Sequence, residues 1–227
     1  MSEWWTYRLS SFLLFSPRTY SRLIELYNAA IWPSQIVAVA LGVAILLLAR
    51  RRSVARGRAI AAILAACWGF VASAFHYLHY ATINWAATYF AIAFAVEALL
   101  IAWFGIVRNA LPSRSDDPVT RRVGAGIVAF ALVGEPVLGL LAGRRWTQAE
   151  LFGVAPDPTV VATLGILLAA TRLRATLLVV PLLWCAASGA LAWAMGSRDA
   201  LVMPLAGLVI LIAATFRPVR RSLASHA

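Results

Sequence analysis

The chain has 227 residues, of which 62% are hydrophobic and only 13% charged, and its mean hydropathy is +0.82. A soluble domain carries about a quarter charged residues, and a soluble fold of this length has too little interior to hide so much apolar surface. That excludes a soluble globule and makes lipid the expected solvent. The formal charge of +11 does not indicate nucleic acid, because the basic residues stand in short runs between apolar stretches, where the positive-inside rule accounts for them. All basic residues are Arg, and the absence of Lys excludes retinal, which needs a lysine amine for its Schiff base.

In chain order, Met1-Ser2-Glu3-Trp4-Trp5 lacks the basic and then apolar pattern of a cleavable signal peptide. Ser16-Pro17 reads as an N-cap with a first-turn proline. Tyr20, Leu23, Ile24 and Tyr27 then share a helical face opposite Arg18, Arg22 and Glu25. Residues 1–30 are therefore read as an interfacial segment on the outer leaflet, turning at Trp32-Pro33 into the membrane.

Seven apolar segments follow, at 31–48, 59–79, 86–107, 123–141, 158–170, 175–195 and 201–216, against the roughly 20 residues a span needs. The fifth is the shortest. There Asp157-Pro158 predicts an N-cap and first turn, leaving a kinked short span or a broken helix with amides facing a cavity. The expected fold is all-α: about seven transmembrane helices after an interfacial amphipathic helix, with a seven-helix domain over 31–217 and a cytoplasmic tail over 218–227.

Arginine sets the expected sidedness. With the N-terminus outside and the C-terminus cytoplasmic, the inner segments hold Arg50, Arg51, Arg52, Arg56, Arg58, Arg108, Arg114, Arg121, Arg122, Arg172, Arg174, Arg217, Arg220 and Arg221. The outer ones hold only Arg8, Arg18, Arg22, Arg144, Arg145 and Arg198. All six tyrosines fall toward the outer face, as amphipathic rings at headgroup level do. Cys67 and Cys185 lie inside apolar runs and read as small buried hydrophobes.

Ionisable groups at membrane depth are costly and point to function. Glu97 sits mid-segment, and Glu135 directly precedes Pro136. His76 and His79 are spaced i, i+3 on one face. His76 and Glu135 fall at similar depth, about 10 Å in at the helical rise, with Glu97 deeper. These three form a candidate proton or cation path. His79, Tyr77, Tyr80, Asn84, Trp85 and Tyr89 are candidates for an outer ligand vestibule. His76, His79 and Glu135 are the weaker metal set, because HxxH alone supplies fewer than the three ligands of catalytic zinc.

Ser73-Ala74-Phe75-His76 resembles the helix-2 signature of the seven-helix alkaline-ceramidase and progestin-receptor-like hydrolases. That family also uses a histidine pair on its last helix, and 201–216 has no His, so the zinc-hydrolase activity does not carry over. The opening, Ser2-Glu3-Trp4-Trp5-Thr6-Tyr7-Arg8-Leu9 through Phe12-Leu13-Leu14-Phe15-Ser16-Pro17-Arg18-Thr19-Tyr20, is similar to an uncharacterised family of small bacterial multi-pass inner-membrane proteins, some loosely labelled permeases. The resemblance implies membrane identity and no established substrate.

The expected function is that of a small permease with a proton- or cation-linked outer cavity in a bacterial inner membrane. A membrane-embedded metal enzyme and a non-catalytic subunit or sensor of a membrane complex are the alternatives. The bilayer is the expected partner; homo-oligomerisation, a complex partner and any cofactor other than retinal stay open.

Overall fold

In the computed structural model, residues 14–51, 53–109, 117–170 and 174–224 are described, with side chains through residue 213 in the last segment. The opening motif through Leu13, together with Arg52, Arg114 and Arg172, lies outside the described residues. Eight helices are described: α1 (Pro17–Ala30), α2 (Ser34–Leu48), α3 (Val54–Thr82), α4 (Ala87–Val107), α5 (Pro118–Leu141), α6 (Pro156–Ala169), α7 (Ala175–Ala194) and α8 (Val202–Ala224).

Local chemistry starts and stops these helices. Ser16 caps α1, its hydroxyl accepting from the Thr19 amide at 3.1 Å, with Pro17 in the first turn. Asp117 caps α5 through the amides of Val119 and Thr120, both at 3.1 Å, ahead of Pro118. Each cap satisfies amides that a helix start leaves without an intrahelical acceptor. Between α1 and α2 the chain turns by 87° at Ile31-Trp32-Pro33, where the Trp32–Pro33 bond is cis.

Three helices widen into π turns. These are Val71–His79 in α3, Trp103–Val107 in α4 and Phe130–Gly134 in α5. In α5 the cause is local. Pro136 has no N–H to donate, and its ring crowds the carbonyl one turn back, so the helix continues only by taking a wider turn there.

Four helices are long and apolar enough to cross a membrane: α3, α4, α5 and α7. The α1–α2 pair makes a fifth if its bent halves count as one span. The expectation of about seven spans is therefore corrected to four or five. α6 has 14 residues, about 21 Å at the helical rise, against a hydrocarbon core of about 30 Å. The apolar stretch Val202–Ala213 of α8 is likewise short. An outside N-terminus and a cytoplasmic C-terminus rested on an odd number of crossings, which four spans would not give.

α6 is the hub. Nearly every residue from Pro156 to Leu168 is buried, as expected for a helix apolar all round. It packs most extensively against α5, and also against α3, α7 and α8. The α5–α6 crossing depends on paired glycines. A Cβ on Gly124 would lie 2.6 Å from the Gly165 carbonyl oxygen, and one on Gly165 would lie 2.8 Å from that of Gly124. Such backbone approach is how helices associate in lipid, where apolar burial gives no net drive.

Part of the polar core is satisfied by hydrogen bonds between helices. Trp68, fully buried, donates its indole N–H to Thr163 Oγ1 at 2.8 Å, and that hydroxyl donates to the Thr159 carbonyl at 2.8 Å. Trp68 also packs on Phe94, ring centroids 4.5 Å apart, tying α3 to α4 as well as α6.

Two predictions follow from this packing. Gly124→Ala forces backbone apart and lowers thermal stability in detergent by about 1–3 kcal/mol. Gly126→Ala, whose Cβ meets nothing within 4 Å, leaves the melting temperature unchanged or raised. Equal effects of the two would rule out the glycine crossing as the constraint. Thr163→Val strands the Trp68 N–H in a dry core and costs about 1–3 kcal/mol, seen as a lower melting temperature and loss of a hydrogen-bonded indole signature in ultraviolet resonance Raman spectra.

Candidate functional site: an acid-lined crevice

The helices run back and forth, so their ends gather at two ends of the bundle. One end collects Arg50, Arg51, Arg56, Arg58, Arg108, Arg121, Arg122 and Arg174; the other holds Glu25, Glu135, Glu150, Asp157 and Asp199. A crevice opens at the acidic end. It is lined by Glu135 of α5, Arg144 and Glu150 of the following loop, Asp157 of α6, Ser188 of α7 and Asp199 before α8.

The connection from α5 to α6 builds this crevice. After Leu141 the chain passes Arg144 and a 3-10 turn, Trp146–Gln148, then dips inward at Leu151–Ala155. Phe152, Gly153, Val154 and Ala155 are buried. Irregular backbone at membrane depth is tolerated only inside protein with its polar groups satisfied. Here the Tyr27 hydroxyl donates to the Val154 carbonyl at 2.6 Å. The Thr159 hydroxyl donates to the Ala155 carbonyl at 2.6 Å and accepts from the Gly153 amide at 2.9 Å. Gly153 has φ +79°, and a Cβ there would meet Cys67 Sγ at 3.0 Å and Ala38 Cβ at 3.1 Å, so both conformation and space require glycine.

α1 clasps the loop from outside. Asn28 Nδ2 donates to the carbonyls of Thr147 and Ala149, each at 3.0 Å. Glu25 accepts from Gln148 Nε2 at 3.0 Å and pairs with Arg22 at 3.0 Å and Arg145 at 3.6 Å.

α6 begins at Pro156, two residues earlier than Asp157 as an N-cap would require; the N-cap position is Ala155, which caps with no side chain. With the helix starting there, the Asp157 carboxylate is free for tertiary partners. Trp184 Nε1 donates to its Oδ1 at 2.7 Å, and Ser188 Oγ donates at 2.8–2.9 Å. Trp184 and Ser188 are spaced i, i+4 on α7 and so face the same way. The carboxylate also lies in the first turn of α6, where the positive end of the helix dipole favours negative charge.

Charge in the crevice is partly balanced. Arg144 pairs with Glu150 and, at 2.7 Å, with Asp199. The Glu150 carboxylate is the main influence holding this guanidinium above its ordinary pKa, against the opposing effect of burial and with further help from Asp199, so Arg144 stays charged throughout the working pH range. Tyr20 donates to Glu150 at 3.4 Å. Both carboxyl oxygens of Glu135 are buried and have no hydrogen-bond partner among the described residues.

The structure distributes the sequence-derived candidates unevenly. Of Glu97, Glu135 and His76, only Glu135 lines the crevice. His76 is fully buried in an aromatic box, with ring centroids 4.5 Å from Phe94 and 5.0 Å from Trp184, and neither ring nitrogen has a partner among the described residues. It thus lies one indole ring behind Asp157. Glu97 is fully buried on α4, likewise without a partner, and lines no part of the crevice.

His79 faces the other way from this box. Its Nδ1 lies 2.7 Å from the Ala74 carbonyl and its ring 5.1 Å from Tyr27. Tyr80 is buried among Phe15, Tyr20, Phe75 and Phe90. Asn84 is buried and its Oδ1 accepts from the Ala86 amide at 3.1 Å. Tyr77, Trp85 and Tyr89 are 61%, 67% and 64% exposed on the outside of the bundle, so none of them walls the crevice. Among the described residues no three of His, Cys, Asp and Glu are grouped to hold a metal ion; His76, His79 and Glu135 do not form one site.

Arg144, Glu150, Asp199, Trp184 and Ser188 were missed as site residues in sequence reasoning. The legible signals were the acid between two prolines, Pro156-Asp157-Pro158, and the polar i, i+4 pair on an otherwise apolar α7. The pairing of Arg144 with Asp199, 55 residues apart, left no trace in local pattern.

No curated protein and no solved structure matches the chain. Residues 18–225 match the family of unknown function DUF6064, and with nearly its whole length covered the chain belongs to that family.

Proposed function

We propose that this multi-pass membrane protein is a small permease of a bacterial inner membrane, and that its acid-lined crevice couples the movement of a small solute to protons or a monovalent cation. The observation that carries the reading is Glu135. Among the described residues it is a buried carboxyl group without a donor or a cation of its own, and it lines the same crevice as a second acid, Asp157. Intramembrane acids of that kind are where membrane proteins place proton relays.

The two acids have different surroundings and so different roles. Asp157 is held by Trp184, Ser188 and the start of α6, which fix the orientation of its carboxyl group at one wall. Glu135 has no such ligands and exchanges its proton or cation as the crevice hydrates. Arg144, bound to Glu150 and Asp199, neutralises the mouth and keeps those two acids out of the exchange. The short α6 with its buried entry loop is similar to the broken helices that line transporter sites. Its first turn carries an acid, which favours a cationic or neutral solute over an anion.

The test uses proteoliposomes loaded with a pH-sensitive dye. Imposed pH gradients are followed with monovalent cations and small organic amines as probes. Wild-type protein is expected to collapse the gradient faster than empty liposomes with at least one probe. Glu135→Gln brings the rate to that of empty liposomes while circular dichroism and melting temperature stay as in wild type. Asp157→Asn, which keeps an acceptor for Trp184 and Ser188, slows it. A Glu135→Gln protein as active as wild type, or no protein-dependent flux with any probe, would sink the permease reading.

A further inference from the structure

The arginine end holds a second recess, remote from the crevice. It lies where α2, α3, α5 and α6 meet, and its rim carries Arg50, Arg51, Arg56, Arg121 and Arg122. The wall below is apolar: Leu46 of α2, Ile60 of α3, Val128 of α5 and Ile166 of α6. Small residues, Gly57, Ala125, Ala169 and Ala170, leave the space unfilled. Its depth follows from helix length, since α6 stops at Ala169 beside Gly124, within a turn of Arg121 and Arg122.

Four of these arginines, Arg51, Arg56, Arg121 and Arg122, have no ion pair among the described residues. The neighbouring cations are occupied otherwise: Arg58 donates to Asn109 Oδ1 at 2.5 Å, and Arg174 stacks on Phe104 at 4.7 Å. Asp117 is the one described carboxylate at this end, and it caps α5.

We infer that this recess binds one anionic diacyl phospholipid, its phosphate on the guanidinium rim and its acyl chains along the apolar wall. Basic pockets between transmembrane helices take anionic head groups in this way, and guanidinium forks match phosphate oxygens bidentately. The wall decides the class of ligand. A free phosphate or nucleotide would satisfy the rim and leave the apolar floor wet, whereas acyl chains cover it. The floor includes the carbonyl end of α6, which repels an anion, so the phosphate sits at the rim.

The full chain, purified and delipidated in neutral detergent, is equilibrated with phosphatidylglycerol or phosphatidylcholine, and bound lipid is counted by native mass spectrometry. One phosphatidylglycerol per chain is expected to survive, with phosphatidylcholine stripped. The R56Q/R121Q/R122Q triple variant weakens retention by about a hundredfold, at roughly 1 kcal/mol per cation. R18Q/R22Q/R198Q removes as much charge from the other end and leaves retention intact. Ala125→Trp, which fills the recess and keeps every charge, also expels the lipid. Equal retention of both lipids, equal loss in the two triple variants, unchanged retention in Ala125→Trp, or displacement of the lipid by millimolar inorganic phosphate would each overturn the assignment.

Discussion

Everything at the acidic end depends on one constraint: backbone that leaves helical geometry in the interior of the protein must find its hydrogen bonds there. Leu151–Ala155 is such backbone. Tyr27 and Thr159 satisfy its carbonyls and amide, and Gly153 supplies a conformation and a clearance no other residue has. With that loop held inside, α6 starts at depth, stays short, and is enclosed by its neighbours on all sides. Helix α1 is then part of the same construction, because Tyr27, Asn28 and Glu25 reach across to hold the loop.

A helix that starts at depth brings its first turn, and Asp157, into the interior of the bundle. The surrounding elements respond to that charge: Trp184 and Ser188 donate to it, and Arg144 binds two of the remaining acids. Glu135 is what these pairings leave over. It is positioned by the π turn that Pro136 imposes on α5, so a local backbone adjustment sets the direction of the least satisfied group in the crevice. The aromatic box around His76 shares Trp184 with the Asp157 site, so the two are mechanically joined though not chemically equivalent.

The two ends of the bundle contrast in charge and in how they meet it. At the acidic end, arginine and carboxylates pair with one another. At the arginine end, described carboxylates are scarce and guanidinium groups surround an apolar recess. Both recesses exist because α6 is too short to fill the bundle from end to end. One short helix therefore shapes an opening at each of its termini.

The sequence by itself determined membrane residence, the all-α class, the cap at Ser16, the bend at Trp32-Pro33 and the oddity of the 158–170 segment. These are properties of composition and near-neighbour chemistry, readable within a few residues. Glu135, Glu97 and His76 were conspicuous as costly groups in apolar runs, but their separation was not legible, because it depends on which face of each helix meets which neighbour. The tertiary structure alone decided that seven apolar stretches amount to four or five candidate spans. An apolar run shows only that a segment avoids water; whether protein or lipid covers it is settled by packing, and α6 is covered by protein. It likewise decided that Asp157 is a tertiary anchor and that Arg144 reaches Asp199, since long-range ion pairs carry no periodic signature along the chain.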